Sequence, residues 1–288
     1  MKTVWSIARY EFTIQRRSLA FWLVAIILAV FMYGEVLQDI SNEAGLASGL
    51  NPFLVSVYGT EAQETMNVTS FSIFQAWGIS DVLGLMSALL LGILSAFVWQ
   101  RDRRLGVMDM LSARPFQSWH YVLGKYMGVI FSWAAIVTPL VIIGIVWTYV
   151  EAGRYGLTVA LADFPMPLIG WMLLSLAYST AFIMMVSLIV RNGVGTLLIY
   201  FIYWGYCVMD VRMLRGASTA KLFSYWLIRS GYSITLDNFY IVQSRFSELL
   251  LNRLLYLLLT ILLVCLTVWV FNRFRKQGTL IGIGGNAD

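Results

Sequence analysis

Residues 126–150 read YMGVIFSWAAIVTPLVIIGIVWTYV, a run without a single Asp, Glu, Lys or Arg. Wound as an α-helix at about 1.5 Å per residue, it exceeds the roughly 30 Å of hydrocarbon in a bilayer. Five more charge-free runs lie at 18–34, 82–100, 164–190, 192–209 and 254–272. Each, with a few flanking residues, supplies the roughly 20 apolar positions a spanning helix needs. Barrel strands would alternate inward and outward positions, and residues 85–94 and 254–266 show no alternation. The pattern predicts an all-α membrane protein with six transmembrane helices, near 18–37, 77–99, 122–149, 166–190, 193–211 and 250–272.

Composition agrees. Of 288 residues, 59% are hydrophobic and 12% charged, against roughly 45–50% and about 25% in soluble domains. A mean hydropathy of +0.76 excludes a water-solvated monomer, which could not cover so much apolar surface. With the amino terminus inside, 13 of the 20 Lys and Arg residues fall on cytoplasmic segments. The bias predicts a multi-pass cell (plasma) membrane protein with both termini cytoplasmic. Five basic residues between the fifth and sixth spans, with Arg253 at the start of the sixth, run against this bias. The net charge of +5 is read as basic residues beside anionic lipid, with no nucleic-acid partner expected.

Residues 1–17 precede the first span and are too polar to cross. At 100° per residue Arg9, Arg16 and Arg17 fall on one half, and Val4, Trp5, Ile7, Ala8 and Phe12 on the other, the pattern of an interfacial amphipathic helix. Glu11 projects from the apolar half, where a carboxylate needs a basic partner or the headgroups. The six-helix domain is placed at 18–276, with outer loops at 38–76, read as short surface helices or a hydrophobic loop, and at 212–249, similarly aromatic, which together could form an outer cap. A cytoplasmic loop occupies 100–121, and a Gly-rich, flexible tail 277–288.

The loop contains QRDRRLGVMDMLSARPFQSWHYVLGK, residues 100–125. Asp102 to Ser112 reads as a short charged helix with Leu105, Met108 and Leu111 at three-residue spacing. Pro115 breaks it and Ser118 is placed to cap the next helix. The order Asp102, Arg103, Arg104, Gly106, Asp109, Leu111, Ser112, Pro115, Trp119, Gly124 and Lys125 resembles the first cytoplasmic loop of type-2 ATP-binding-cassette exporter permeases. ARYEF at 8–12 with Arg16 and Arg17 resembles the same family's amino-terminal connecting helix. Asp102 and Asp109 stand where that family more often has glutamate.

The resemblance implies that the loop between the second and third spans is a coupling helix seated in a separate ATPase subunit. Asp102, Arg103, Arg104, Leu105, Gly106, Met108, Asp109 and Leu111 are then the ATPase-coupling residues. ATP and Mg belong to that partner, and this chain binds no cofactor itself. A second permease copy or paralogue completes the assembly. The only Gly-Lys pair, Gly124-Lys125, lies in no phosphate-cradling loop, since Trp119 replaces its glycine and Tyr126 its Ser or Thr. With one His and two separated Cys, no metal site and no catalytic residues are expected.

Two stripes inside the spans attract attention. Ser80, Gly84, Ala88, Gly92 and Ala96 place a small residue at every fourth position of the second span. That permits close helix contact, either at a dimer or translocation interface or within the chain. Asp81 lies beside the stripe. In the fifth span Thr196, Tyr200, Tyr203, Cys207 and Asp210 share one face, which points to protein or to a pathway. Tyrosines hydrogen-bonded inside the bundle would give the same face. The leading expectation is a permease subunit exporting an amphipathic or hydrophobic substrate (peptide, drug, antibiotic or lipid). The alternative is an ion-coupled secondary transporter using Asp81 and Asp210, against which the absence of a visible inverted repeat counts.

Overall fold

The computed structural model describes residues 2–47, 71–107, 117–213 and 246–276, and among them every regular element is helical. Helix α1 covers Lys2–Arg16, and Ser18 caps α2, Leu19–Phe31, by accepting a bond from the Phe21 amide at 3.3 Å. The chain turns by 73° between them. A π-helical turn, Met32–Leu37, then leads into α3, Gln38–Ala47. Residues 38–47, the start of the expected outer loop with short helices, are thus helical. Ile40 and Ala44 are buried in the core, so the apolar face of the first span continues past its polar boundary.

Helix α4, Phe71–Ser95, starts six residues before the expected second span. It touches α2, the next long helix and the two that follow the long helix, and most of its described residues are buried, with Val82, Met86, Leu89 and Ile93 forming a partly exposed stripe. After a break at residues 96 and 97, α5 covers Val98–Arg104. Asp102, where the expected charged helix starts, lies inside α5; Leu105 closes α5, Gly106 has φ +66°, and helical structure resumes at Val107, the last described residue of this segment. Met108, Asp109 and Leu111 lie outside the described residues.

Helix α6, Ser118–Tyr155, is the third span, extended at both ends. Gln117, not Ser118, occupies its cap position, and Ser118 is the first buried helical residue. A 3-10 turn, Leu161–Asp163, and a π-helical stretch, Met166–Leu173, precede α7, Leu174–Val190. Arg191 ends α7 at φ 59°, a left-handed conformation rare for a side chain with Cβ. Helix α8 is Gly193–Met213 and α9 is Phe246–Lys276.

Among the described residues, four helices are long and apolar enough to cross a membrane: Phe71–Arg104, Ser118–Tyr155, Leu161–Val190 and Arg253–Lys276. A fifth is added if the bent pair α1 and α2 counts as one span, and Gly193–Gly205 is a shorter apolar helix. By length and composition the chain is a helical membrane protein.

Candidate functional site

The site is built where α1 lies on α6. Ala8, Glu11 and Gln15 recur at helical spacing and are the buried residues of α1. Gly124 and Gly128 of α6 leave room for them. A Cβ on Gly128 would sit 2.5 Å from the Glu11 Cβ, and one on Gly124 would sit 2.7 Å from the Ile7 Cβ. Only glycine permits so close an approach. Trp5 adds an edge-to-face contact with Phe131 at 5.5 Å.

Glu11 has no access to solvent. Its carboxylate accepts from Lys125 Nζ at 2.5 Å, from Arg101 and from Gln15 Nε2 at 2.9 Å. Lys125 also pairs with Asp102 at 2.6 Å, and the Tyr121 hydroxyl donates to Asp102. Lys125 and Asp102 are themselves buried. Two carboxylates and two cations thus neutralise one another in a junction where only Arg101 keeps contact with solvent, the condition under which buried charge is tolerable. Burial pushes the Glu11 carboxyl up, but Lys125 and then Arg101 outweigh it and hold the group below its ordinary value. Trp99, Tyr121 and Phe271 pack beside the junction, with ring centroids 5.4 to 5.9 Å apart.

Three segments distant in sequence are fastened here: α1, α5 and the first turns of α6. The junction can transmit a displacement of one to the others. Of the expected coupling residues, Asp102 faces inward and is covered by its own chain, and Arg103 is half-buried. Arg104 and Leu105 are exposed, Leu105 at 57%. Arg16 and Arg17 are exposed on the polar side of α1 and its end.

The small stripe of α4 receives side chains of the same chain. Ser80 donates to the Pro167 carbonyl at 2.9 Å, the Tyr200 hydroxyl donates to the Ala88 carbonyl, and Ser187 donates to the Ala96 carbonyl at 2.6 Å. Gly92 lies under the Tyr200 ring, where a Cβ would come within 2.8 Å. Gly84 is buried. On α8, Thr196 and Tyr200 are buried, and the Tyr203 hydroxyl stands 3.2 Å from that of Tyr178 on α7. The described part of this face therefore turns into the bundle. The side chains of Asp81, Cys207 and Asp210 are outside the described residues.

Lys125, Tyr121 and Arg101 are site residues that sequence reasoning did not assign. The available signal was the spacing of Gly124, Gly128 and Ser132, a small residue every fourth position on the third span. No protein-family model, curated protein or solved structure matches the chain.

Proposed function

We propose that this chain is the transmembrane permease subunit of an ATP-binding-cassette exporter, with six spans and both termini in the cytoplasm of a cell membrane. It moves an amphipathic or hydrophobic substrate using ATP and Mg held by a separate ATPase subunit. The observation that supports the reading is the buried junction of Glu11, Arg101, Asp102 and Lys125. It ties an amphipathic surface helix and a membrane helix to the loop whose residues resemble the family's coupling segment.

In this reading Arg104, Leu105, Met108, Asp109 and Leu111 form the outward contact with the ATPase. Asp102 serves from within by anchoring the loop to Lys125. Closure of the ATPase pair then moves the junction as a rigid unit and tilts α6 with it. The route borders the second and fifth spans, where Tyr203 and Asp210 mark the face to probe, and a second permease copy or paralogue supplies the opposite wall. The test is whether an ATPase co-purifies with the chain and is released by Leu111→Arg or Asp109→Arg while the membrane domain stays folded. A complex unchanged by both substitutions contradicts the coupling assignment.

A further inference from the structure

Arg101 and Arg103 lie about 200° apart around α5, so they serve opposite sides of it. Arg101 turns to Glu11, and Arg103 turns to the end of α7. The Arg191 carbonyl is bonded by Gln100, one turn before Arg103 on the same side of α5, which brings the two like charges into each other's field. The Arg103 Nε and Nη2 atoms are shielded from solvent yet donate to no acceptor. Neither arginine is paired with an acid among the described residues, because Glu11 and Asp102 are committed to Arg101 and Lys125. Two neighbouring cations, one of them with buried, unused donors, are an unfavourable arrangement for a protein alone.

The fold holds them there nonetheless. Arg191 is fixed in its left-handed conformation, and Gln100 Nε2 donates to its carbonyl at 2.7 Å. Its guanidinium lies 4.6 Å over the Phe274 ring. Arg103, Arg191 and Phe274 each follow closely after a charge-free run, at 82–100, 164–190 and 254–272. They therefore sit at one level, where a bilayer places its phosphates.

We propose that Arg103 and Arg191 form a binding site for a phosphate group. A phosphate oxyanion accepts two parallel bonds from a guanidinium fork, removes the repulsion between the two cations and satisfies the unused Arg103 donors. The headgroup of an anionic phospholipid and a free phosphate are the two sources of that chemistry. The site does not depend on the exporter reading.

The experiment is unfolding of the purified, delipidated full chain in detergent, alone and with phosphatidylglycerol, phosphatidylcholine or inorganic phosphate. Wild type should gain stability from phosphatidylglycerol or from inorganic phosphate. Arg103→Gln and Arg191→Gln should weaken that binding by about tenfold or more. Arg103→Lys, which keeps the charge and the fold but lacks the fork, should weaken it less. A response to phosphatidylglycerol alone assigns the lipid headgroup, and an equal response to inorganic phosphate assigns a soluble phosphate.

With no ligand added, Arg103→Gln should match or exceed wild-type stability, since repulsion and orphaned donors are removed. A structural arginine would give the opposite sign. The site is overturned if neither anion stabilises wild type, if the ligand-free Arg103→Gln protein is clearly destabilised, or if the variants respond as wild type does. It is also overturned if Arg9→Ala, which removes an exposed charge on α1, weakens binding as much as Arg103→Gln.

Discussion

Glu11 and Lys125, 114 residues apart, form a buried ion pair at 2.5 Å with neither side chain open to solvent. The pair fixes the amphipathic helix α1 to the first turns of α6, a helix long and apolar enough to span a membrane. Asp102 and Arg101 extend it to the loop between them. Breaking one member leaves the rest desolvated and unbalanced, which typically costs about 3–5 kcal/mol.

Lys125→Met should be the most damaging single change, since it leaves Glu11 and Asp102 with Arg101 as their remaining cation. Glu11→Gln should be destabilising as well. The double variant should lose less than the sum of the two, because one acid and one base then remain. Unfolding of the four proteins in detergent measures the coupling, and strict additivity would show that the two residues act independently.

Gly128→Ala places a methyl group 2.5 Å from the Glu11 Cβ, so α1 must lift from α6. The expected cost is about 1–3 kcal/mol, together with faster proteolysis at α1. Gly78→Ala is the comparison, because no atom lies within 4 Å of the added Cβ. It should be neutral or slightly stabilising in its helix.

Acid should loosen the same contact. The Glu11 carboxyl titrates below its ordinary value of 4.5 in the folded chain. Its contribution is therefore full above that value and lost as pH falls through the lower, folded one. The stability difference between wild type and Glu11→Gln should be constant near neutral pH and shrink in acid. A difference that grows on acidification would reverse the sign and contradict the pairing.

Tyr203 is the part of the α8 face that is half-buried, 3.2 Å from the Tyr178 hydroxyl and 4.5 Å from the Phe182 ring. If this face borders the route, Tyr203→Ala alters transport or substrate-stimulated ATP hydrolysis. Tyr203→Phe, which keeps the ring, should cost only about 1 kcal/mol of stability. Wild-type behaviour of Tyr203→Ala in both assays would assign the face to packing alone.

The long helices were legible because lipid demands uninterrupted apolar runs. Their ends were less so. Lys125 and Glu151 bound the charge-free run of the third span, yet the helix runs from Ser118 to Tyr155 through both and through Arg154. Lys125 is paired inside, and Glu151 is buried 3.8 Å from Arg154, so charge does not mark the helix end there.

The amphipathic character of residues 2–16 was also plain from spacing, including the awkward position of Glu11. Its partners were not, since periodicity along one helix carries no information about which distant cation will meet it. The Gly124 and Gly128 spacing was readable and marks the contact line. Asp102 shows the converse difficulty. A charged residue in a polar loop reads as solvated, whereas tertiary packing has buried it against Lys125 and Tyr121.

The central claim is that this chain is moved by another subunit's nucleotide cycle through the loop that follows Arg104. Affinity purification of the intact chain from its own membrane, with identification of the bound subunits, tests it most directly. An ATP-binding-cassette ATPase that accompanies wild type and is lost from a folded Leu111→Arg variant is the predicted result. A chain that purifies without any nucleotide-hydrolysing subunit, and carries substrate across liposomes in the absence of ATP, would contradict it.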